Sequence, residues 1–241
     1  MSNEVCAVRG LGKSFGTGRF RHEVLHDITF SIGSSQTFGL VGESGSGKST
    51  IAKILTGIYQ FDSGTVTVAG HNLSRGDARK IRRLPPGVAY IPQNPFTSFD
   101  PTRSVGDSLR EAYDSSGRLE DSVDVIDTMI SLVGLPVDSA SRFPHQFSGG
   151  QLQRLAIARG LLSRPSLIIA DEITSALDMS VQAQVLDLLS SIHSKAGFAM
   201  LFISHNLAVV EHVCDHVMVM SGGAIVEQGS TSIVFDKPSS D

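Results

Sequence analysis

The sequence predicts an α/β fold: a mainly parallel sheet, an antiparallel β part beside it, and a helical insert. Three observations predict this. Strand-length apolar runs at residues 37–41, 167–170 and 199–203 alternate with helix-period segments, the pattern of parallel strands joined by crossover helices. A glycine-rich loop, Gly42-Glu43-Ser44-Gly45-Ser46-Gly47-Lys48-Ser49-Thr50, sits between the first run and a helical segment. From Asn94 the chain turns polar and helical before the sheet pattern resumes. One domain over residues 1–241 accounts for this, with a core at 1–93 and 164–241 and the insert at 94–163.

Taken in order, residues 5–9 and 28–32 read as strands joined by a polar, glycine-containing segment that carries Phe15 and Phe20. Residues 65–69 alternate between turn signals, with Val66 and Val68 on one face. After the loop, Ile51, Leu55 and Ile58 fall at i, i+4 and i+7 on one predicted helix face. Residues 74–86 read as a short basic helix stopped by Pro85-Pro86, and residues 88–91 as a strand ending at Pro92-Gln93. The insert holds helical patterns at 105–113 and 119–133, the second marked by Val123, Ile126, Ile130 and Val133. Ser148-Gly149-Gly150-Gln151 opens a helix over 152–163, stopped by Arg164-Pro165. A strand at 167–170 ends in Asp171-Glu172, and Val181, Val185, Leu188, Leu189 and Ile192 mark another amphipathic helix. A strand at 199–203 ends in Ser204-His205, and a short helix leads to a hairpin, 217–220 with 224–227, turned at Gly222-Gly223.

Composition narrows the function classes. A chain of 241 residues with 41% hydrophobic content and 18% charged residues can bury a sizeable core. The net charge of −4, with no basic run, argues against nucleic acid as the main partner, since neutralising phosphates needs clustered Lys and Arg. The two cysteines, Cys6 and Cys214, are far apart and lie in no paired motif, as in a reduced, cytosolic chain. The N-terminus does not read as a signal peptide and no window approaches the ~20 apolar residues of a membrane span, so any work at a membrane is expected from the aqueous side through a partner.

The loop fits G-x-x-x-x-G-K-[ST], a phosphate cradle. Its glycines let backbone N–H groups converge on one anion, and the following helix adds its positive end. Lys48 is placed to reach β- and γ-phosphates, and the Ser49 hydroxyl to join a Mg²⁺ shell. Asp171, ending a buried strand, suits Mg²⁺ directly or through water. Glu172 is expected to point the other way, because strand side chains alternate, and so to serve as general base or to orient an attacking water. His205 could bond a γ-phosphate or hold Glu172 in line, although a lone turn histidine is more often structural. Gln93, also at a strand end, could reach Mg²⁺ or water through its amide. Ser148–Gln151 is a second glycine pair at a helix start, a second anion site in a chain that already has one.

Together these residues resemble the ATP-binding cassette of ABC transporters, the P-loop NTPase fold known as the ABC nucleotide-binding domain, over about residues 5–235. Residues 42–50 match its Walker A loop, Gln93 the Q-loop, 147–151 the signature motif, and 167–172 the Walker B strand with its catalytic Glu. Ser175-Ala176-Leu177-Asp178 matches the D-loop, His205 the switch histidine, and Phe15 falls near the A-loop aromatic that stacks on adenine. The resemblance implies an ATPase using ATP and Mg²⁺ in a head-to-tail dimer with a second cassette, identical or paralogous. Each ATP would lie between the Walker loops of one subunit and the signature of the other. It further implies two membrane permease subunits, reached through a groove beside the helical insert with Gln93 as relay, and a peripheral place on the cytoplasmic membrane face.

The wording Ile91-Pro92-Gln93-Asn94-Pro95 and Ser98-Phe99-Asp100-Pro101 is similar to the oligopeptide, dipeptide and nickel import subfamily, which implies an importer fed by an extracytoplasmic substrate-binding protein. The chain departs from the family at Ile173, where Pro is usual, at Ser35-Gln36, where Gly-Glu is common, and in its short tail after residue 236. Neither of the first two removes a chemical group. His212, Cys214 and His216 mimic a metal motif, but the segment is expected to pass from helix to strand there and lacks a fourth ligand. The competing readings are a soluble ABC ATPase of DNA repair or translation, and a hydrolytically dead cassette whose ATP only glues a dimer.

Overall fold

Two long antiparallel strands, β1 (Glu4–Phe15) and β2 (His22–Gly33), open the computed structural model, which describes residues 4–74, 84–117 and 122–236. Both outrun the predicted spans. Gly10, Gly12 and the polar residues around them hide the alternation, yet the ladder continues through Lys13 opposite Leu25 and Phe15 opposite His22. Register shifts between Val8 and Leu11 and between Lys13 and Ser14 absorb the irregularity.

Next come β3 (Thr37–Gly42), α1 (Lys48–Leu55), β4 (Ser63–Val68), β5 (His71–Asn72) and β6 (Val88–Ile91). They are followed by α2 (Val105–Asp114), α3 (Ser122–Leu132), α4 (Gly149–Leu162), β7 (Leu167–Asp171) and α5 (Met179–Ala196). The chain closes with β8 (Ala199–Ile203), α6 (Leu207–Val213), β9 (His216–Ser221), β10 (Ala224–Ser230) and α7 (Thr231–Asp236). These elements fall into two compact units, Met1–Val88 with Ser166–Asp171 and Gly197–Asp241, and Ala89–Pro165 with Glu172–Ala196.

The first unit holds an antiparallel sheet in the order β2-β1-β4-β5 and five strands in the order β10-β9-β3-β8-β7. In the latter, β3 pairs in parallel with β8 and β9, β7 pairs in parallel with β8, and β10 is the antiparallel edge. Every residue of β7 and β8 is buried, as a continuous apolar run in a covered parallel sheet requires. Each such Leu or Ile contributes roughly 1.5–3 kcal/mol by leaving water. Gly39 is needed in β3 because a Cβ there would lie 2.3 Å from Val210 Cγ1 of α6. Ser35 takes φ +58° and donates its hydroxyl to Gly197 O at 2.7 Å.

Ile58 corrects the predicted helix face. Helix α1 ends at Leu55, Gly57 turns the chain at φ +75°, and Ile58 is 54% exposed while Ile51 and Leu55 are fully buried. The short helix α7 had no forecast. Its β-branched sequence suggests no helix, but Thr231 anchors it by donating its hydroxyl to Cys214 O at 2.6 Å.

The second unit is helical, built from α2, α3, α4 and α5 after the strand β6. Ile126 and Ile130 of α3, and Val133 just after it, are buried as the period predicts, but Val123, in the first turn, is 50% exposed. The start of that predicted helix (119–121), most of the predicted basic helix (75–83) and the short tail lie outside the described residues. No helix among the described residues is long and apolar enough to cross a membrane.

Candidate functional site

The glycine-rich loop joins β3 to α1 in the first unit. Gly42 and Gly47 take φ +147° and +108°, and neither has room for a side chain: a Cβ on Gly42 would sit 2.2 Å from Met220 O, and one on Gly47 2.5 Å from Leu25 Cδ2. As the residue before α1, Gly47 also supplies no side-chain cap, leaving the first-turn N–H groups to look elsewhere for acceptors. Lys48 is buried, and its ammonium donates to Gly42 O at 2.8 Å and Glu43 O at 2.7 Å. The lysine thus spans the loop from its helical end to its strand end, and its positive charge lies inside the curl. Ser49, one residue on, is exposed.

Register brings the other strand ends level with this loop. Leu40 of β3 pairs with Ile203 of β8, and Ile203 with Asp171 of β7. Asp171 is only 6% exposed at the carboxyl end of its strand. His205 follows β8 in a tight turn and is exposed. The turn is fixed by Asn206 N donating to Ser204 Oγ at 3.0 Å and by the Asn206 side chain capping α6 through Val209 N.

Glu172 departs from the predicted alternation. Strand β7 stops at Asp171, and Glu172 takes φ +49°, so its direction is set by a left-handed turn and not by the pleat. In the second unit its Oε2 accepts a hydrogen bond from Gln93 Nε2 at 3.2 Å. The same amide donates to Ser175 Oγ at 3.1 Å, and Ser175 Oγ donates back to Glu172 O at 2.9 Å. The arithmetic is complete: two amide protons and one hydroxyl proton meet three acceptors. Sequence reasoning gave Ser175 no task; its signal is a hydroxyl three residues after a strand-ending Glu, the spacing of a side chain that bonds back to the backbone.

The Ser148–Gln151 helix start has a structural explanation of its own. Ser148 caps α4 by accepting from Gln151 N at 3.3 Å, and the Gln151 side chain accepts from Ser148 N at 3.1 Å, a reciprocal capping box. Gly150 is required by packing, because its Cβ would lie 2.2 Å from Val181 Cγ1 of α5. Asp178 caps α5, accepting from Val181 N at 3.0 Å and from both N and Oγ of Ser180. These bonds, that from Val181 N foremost, hold its carboxyl below the usual carboxylate range.

Phe15, the last residue of β1, is 37% exposed and meets the ring of Tyr59, a residue that sequence reasoning missed. As predicted, helix passes to strand around Cys214, which lies between α6 and β9. Cys214 is buried and the His216 ring stacks on Phe38 at 4.7 Å. Among the described residues no group of three or more His, Cys, Asp or Glu could hold a metal ion.

A sequence model of the ABC transporter family matches residues 25–175. A Brucella ovis protein with a peptide import ATP-binding name is 40% identical over 96% of this chain and 74% of its own length. The oligopeptide transport ATP-binding protein OppF of Lactococcus lactis is 41% identical over 88% of this chain and 67% of its own length. The dipeptide transport ATP-binding protein DppF of Haemophilus influenzae is 39% identical over 90% and 67%. Among solved structures, cbiO1 of Clostridium perfringens, part of the ABC transporter complex cbiONQ, superposes with a TM-score of 0.84 over 98% of this chain and 92% of its own, at 23% identity. The cassette MJ0796, dimeric and bound to ADP and Pi, does so with a TM-score of 0.81 over 94% and 98%, also at 23% identity, so both likenesses speak for the fold. The matched span contains the loop, Gln93, the signature and both strand-end carboxylates, and the chain belongs to the ABC transporter family as one of its ATP-hydrolysing, ATP-binding cassettes.

Proposed function

We propose that this cassette powers import of peptides or similar small solutes from the cytoplasmic face of a membrane. It would act as a head-to-tail dimer with a second cassette, attached to two permease subunits and fed by an extracytoplasmic binding protein. The observation that carries this reading is the loop of residues 42–50, where two glycines without room for a Cβ curl the backbone around a buried Lys48 ammonium. The names of OppF and DppF support peptides as the solute class.

The residues fit ATP with Mg²⁺. Backbone N–H groups from Gly42 through Thr50 cradle the phosphates, with the Glu43, Ser44, Gly45 and Ser46 stretch forming the curl. Lys48 exchanges carbonyl partners for phosphate oxygens. The exposed Ser49 hydroxyl and the Asp171 carboxylate are hard oxygens of the kind Mg²⁺ prefers, and Gln93 would add its amide oxygen. When bound, that ion neutralises charge developing on the phosphates. Glu172, held through Gln93, orients the attacking water and accepts its proton; His205 donates a hydrogen bond to the γ-phosphate. Phe15 stacks on the base. Ser148, Gly149, Gly150 and Gln151 close over the nucleotide of the partner cassette, beside Asp178.

A shared γ-phosphate makes the dimer a switch. Moving it from ~1:99 open to ~99:1 closed takes about 5.5 kcal/mol of differential binding. A few charge-assisted hydrogen bonds at roughly 1.5–3 kcal/mol each supply that, and hydrolysis withdraws them. The test is ATP turnover and peptide uptake in vesicles carrying the cassette with its permease subunits. Turnover coupled to uptake is expected; turnover indifferent to the permeases overturns the proposal.

A further inference from the structure

In the first unit four side chains meet at the end of β1. The Phe15 and Tyr59 rings lie 5.2 Å apart at 70°, the edge-to-face geometry that aromatic quadrupoles favour. The Lys13 ammonium sits over the Phe15 ring, 4.9 Å from its centre, and Lys53 over the Tyr59 ring at 5.2 Å. This run of cation, ring, ring, cation is anchored at both ends. Asp62 holds Lys13 at 3.7 Å and accepts from Ser14 N at 2.7 Å, fixing the end of β1 next to Phe15. At the other end Tyr59 N donates to Lys53 O at 2.9 Å, folding the segment after α1 back so that its ring faces β1. The same α1 begins in the phosphate loop, at Lys48. Phe15 keeps 37% of its surface exposed, so its pose is set from inside while part of the ring faces solvent.

We propose that Tyr59 is a positioning residue for the nucleobase: it fixes the tilt of the Phe15 ring, with Lys13 and Lys53 backing the two rings, so that the base meets a preset aromatic corner instead of a free side chain. This rests on the reading of Phe15 as the base-stacking residue. Fixing the ring before the base arrives removes rotamer entropy from the binding step, so the gain is read in nucleotide affinity and not in the chemical step. It is also blind to the phosphates, which the loop of residues 42–50 holds.

The experiment measures ATP affinity by calorimetry in a Glu172→Gln background, with inorganic tripolyphosphate as a probe that has phosphates and no base. Phe15→Ala is expected to weaken ATP by about 5- to 100-fold, the range of a lost base–aromatic stack. Tyr59→Ala is expected to weaken ATP by about 2- to 10-fold, the range of one aromatic pair, and to leave tripolyphosphate unchanged. Tyr59→Phe is expected to restore ATP affinity, and the Phe15→Ala, Tyr59→Ala pair to bind no worse than Phe15→Ala alone. In the hydrolysing parent Tyr59→Ala is expected to raise KM more than it lowers kcat. If Tyr59→Ala weakens ATP and tripolyphosphate alike, or if its effect persists undiminished without Phe15, the positioning role is overturned. If Phe15→Ala weakens ATP and Tyr59→Ala does not, this inference fails and the Phe15 reading stands. If Phe15→Ala leaves ATP affinity unchanged, both fail.

Discussion

Gln93 Nε2 donates to Glu172 Oε2 at 3.2 Å while its second proton goes to Ser175 Oγ at 3.1 Å. One amide therefore ties a carboxylate to the turn that follows it. An amide donor orients a carboxylate without placing a formal positive charge beside it, which suits a group that must accept a proton.

Turnover separates the two residues. Glu172→Gln is expected to lower ATP hydrolysis by about 10²–10⁴-fold, the range for a lost general base, with ATP still bound. Gln93→Ala is expected to cost less, because the carboxylate remains, having lost its guide, and the Ser49 and Asp171 oxygens remain for Mg²⁺. Phosphate release alongside equilibrium ATP binding checks both, and a Glu172→Gln protein that keeps turning over removes Glu172 from the mechanism.

The left-handed backbone at Glu172 predicts a stability difference between two variants that both lack the carboxylate. A side chain at φ +49° costs about 1 kcal/mol relative to glycine. Glu172→Gly should therefore melt about 2–4 °C above Glu172→Ala in thermal denaturation, though both are inactive. Equal melting temperatures would mean that the turn is relaxed.

Gly150→Ala should destabilise even though alanine is the better helix former. The gain in propensity is about 1 kcal/mol, and forcing a methyl into a 2.2 Å approach to Val181 Cγ1 costs about 1–3 kcal/mol. Adding Val181→Ala should recover much of the loss. Denaturant titrations of the three variants measure the coupling, and a strictly additive double variant would contradict this packing.

Asp178 makes one contribution depend on pH. Its folded pKa lies below the unfolded value of about 3.9, so the folded chain binds fewer protons there and the stabilisation is full above that value and lost as pH falls through and below it. Asp178→Asn should be less stable than the parent near pH 7, and the gap should narrow as pH falls below about 3.9. Urea midpoints above and below that value test the direction.

Legibility in the sequence followed the locality of the signal. Strands β6 and β8 have the predicted bounds because a continuous apolar run between turn residues needs no distant information. The loop of residues 42–50 and the buried Asp171 were legible for the same reason. Strands β1 and β2 came out longer because half of each is held by its partner and not by its own alternation. Ile58 misled because the period of apolar residues runs on past Gly57, where the helix has already ended. The direction of Glu172 was lost to a backbone angle that L-residues rarely adopt, and Tyr59 to a ring contact 44 residues along the chain (59 − 15). The glycines of the signature were read for an anion alone, because nothing local announces that Val181 fills the space beside one of them.

That last pair has a mechanical consequence. With a valine methyl seated where Gly150 has no side chain, the starts of α4 and α5 leave no room for another carbon between them. A push on one tip is delivered to the other without slack, so two stretches that are remote in sequence would travel as a single rigid wedge.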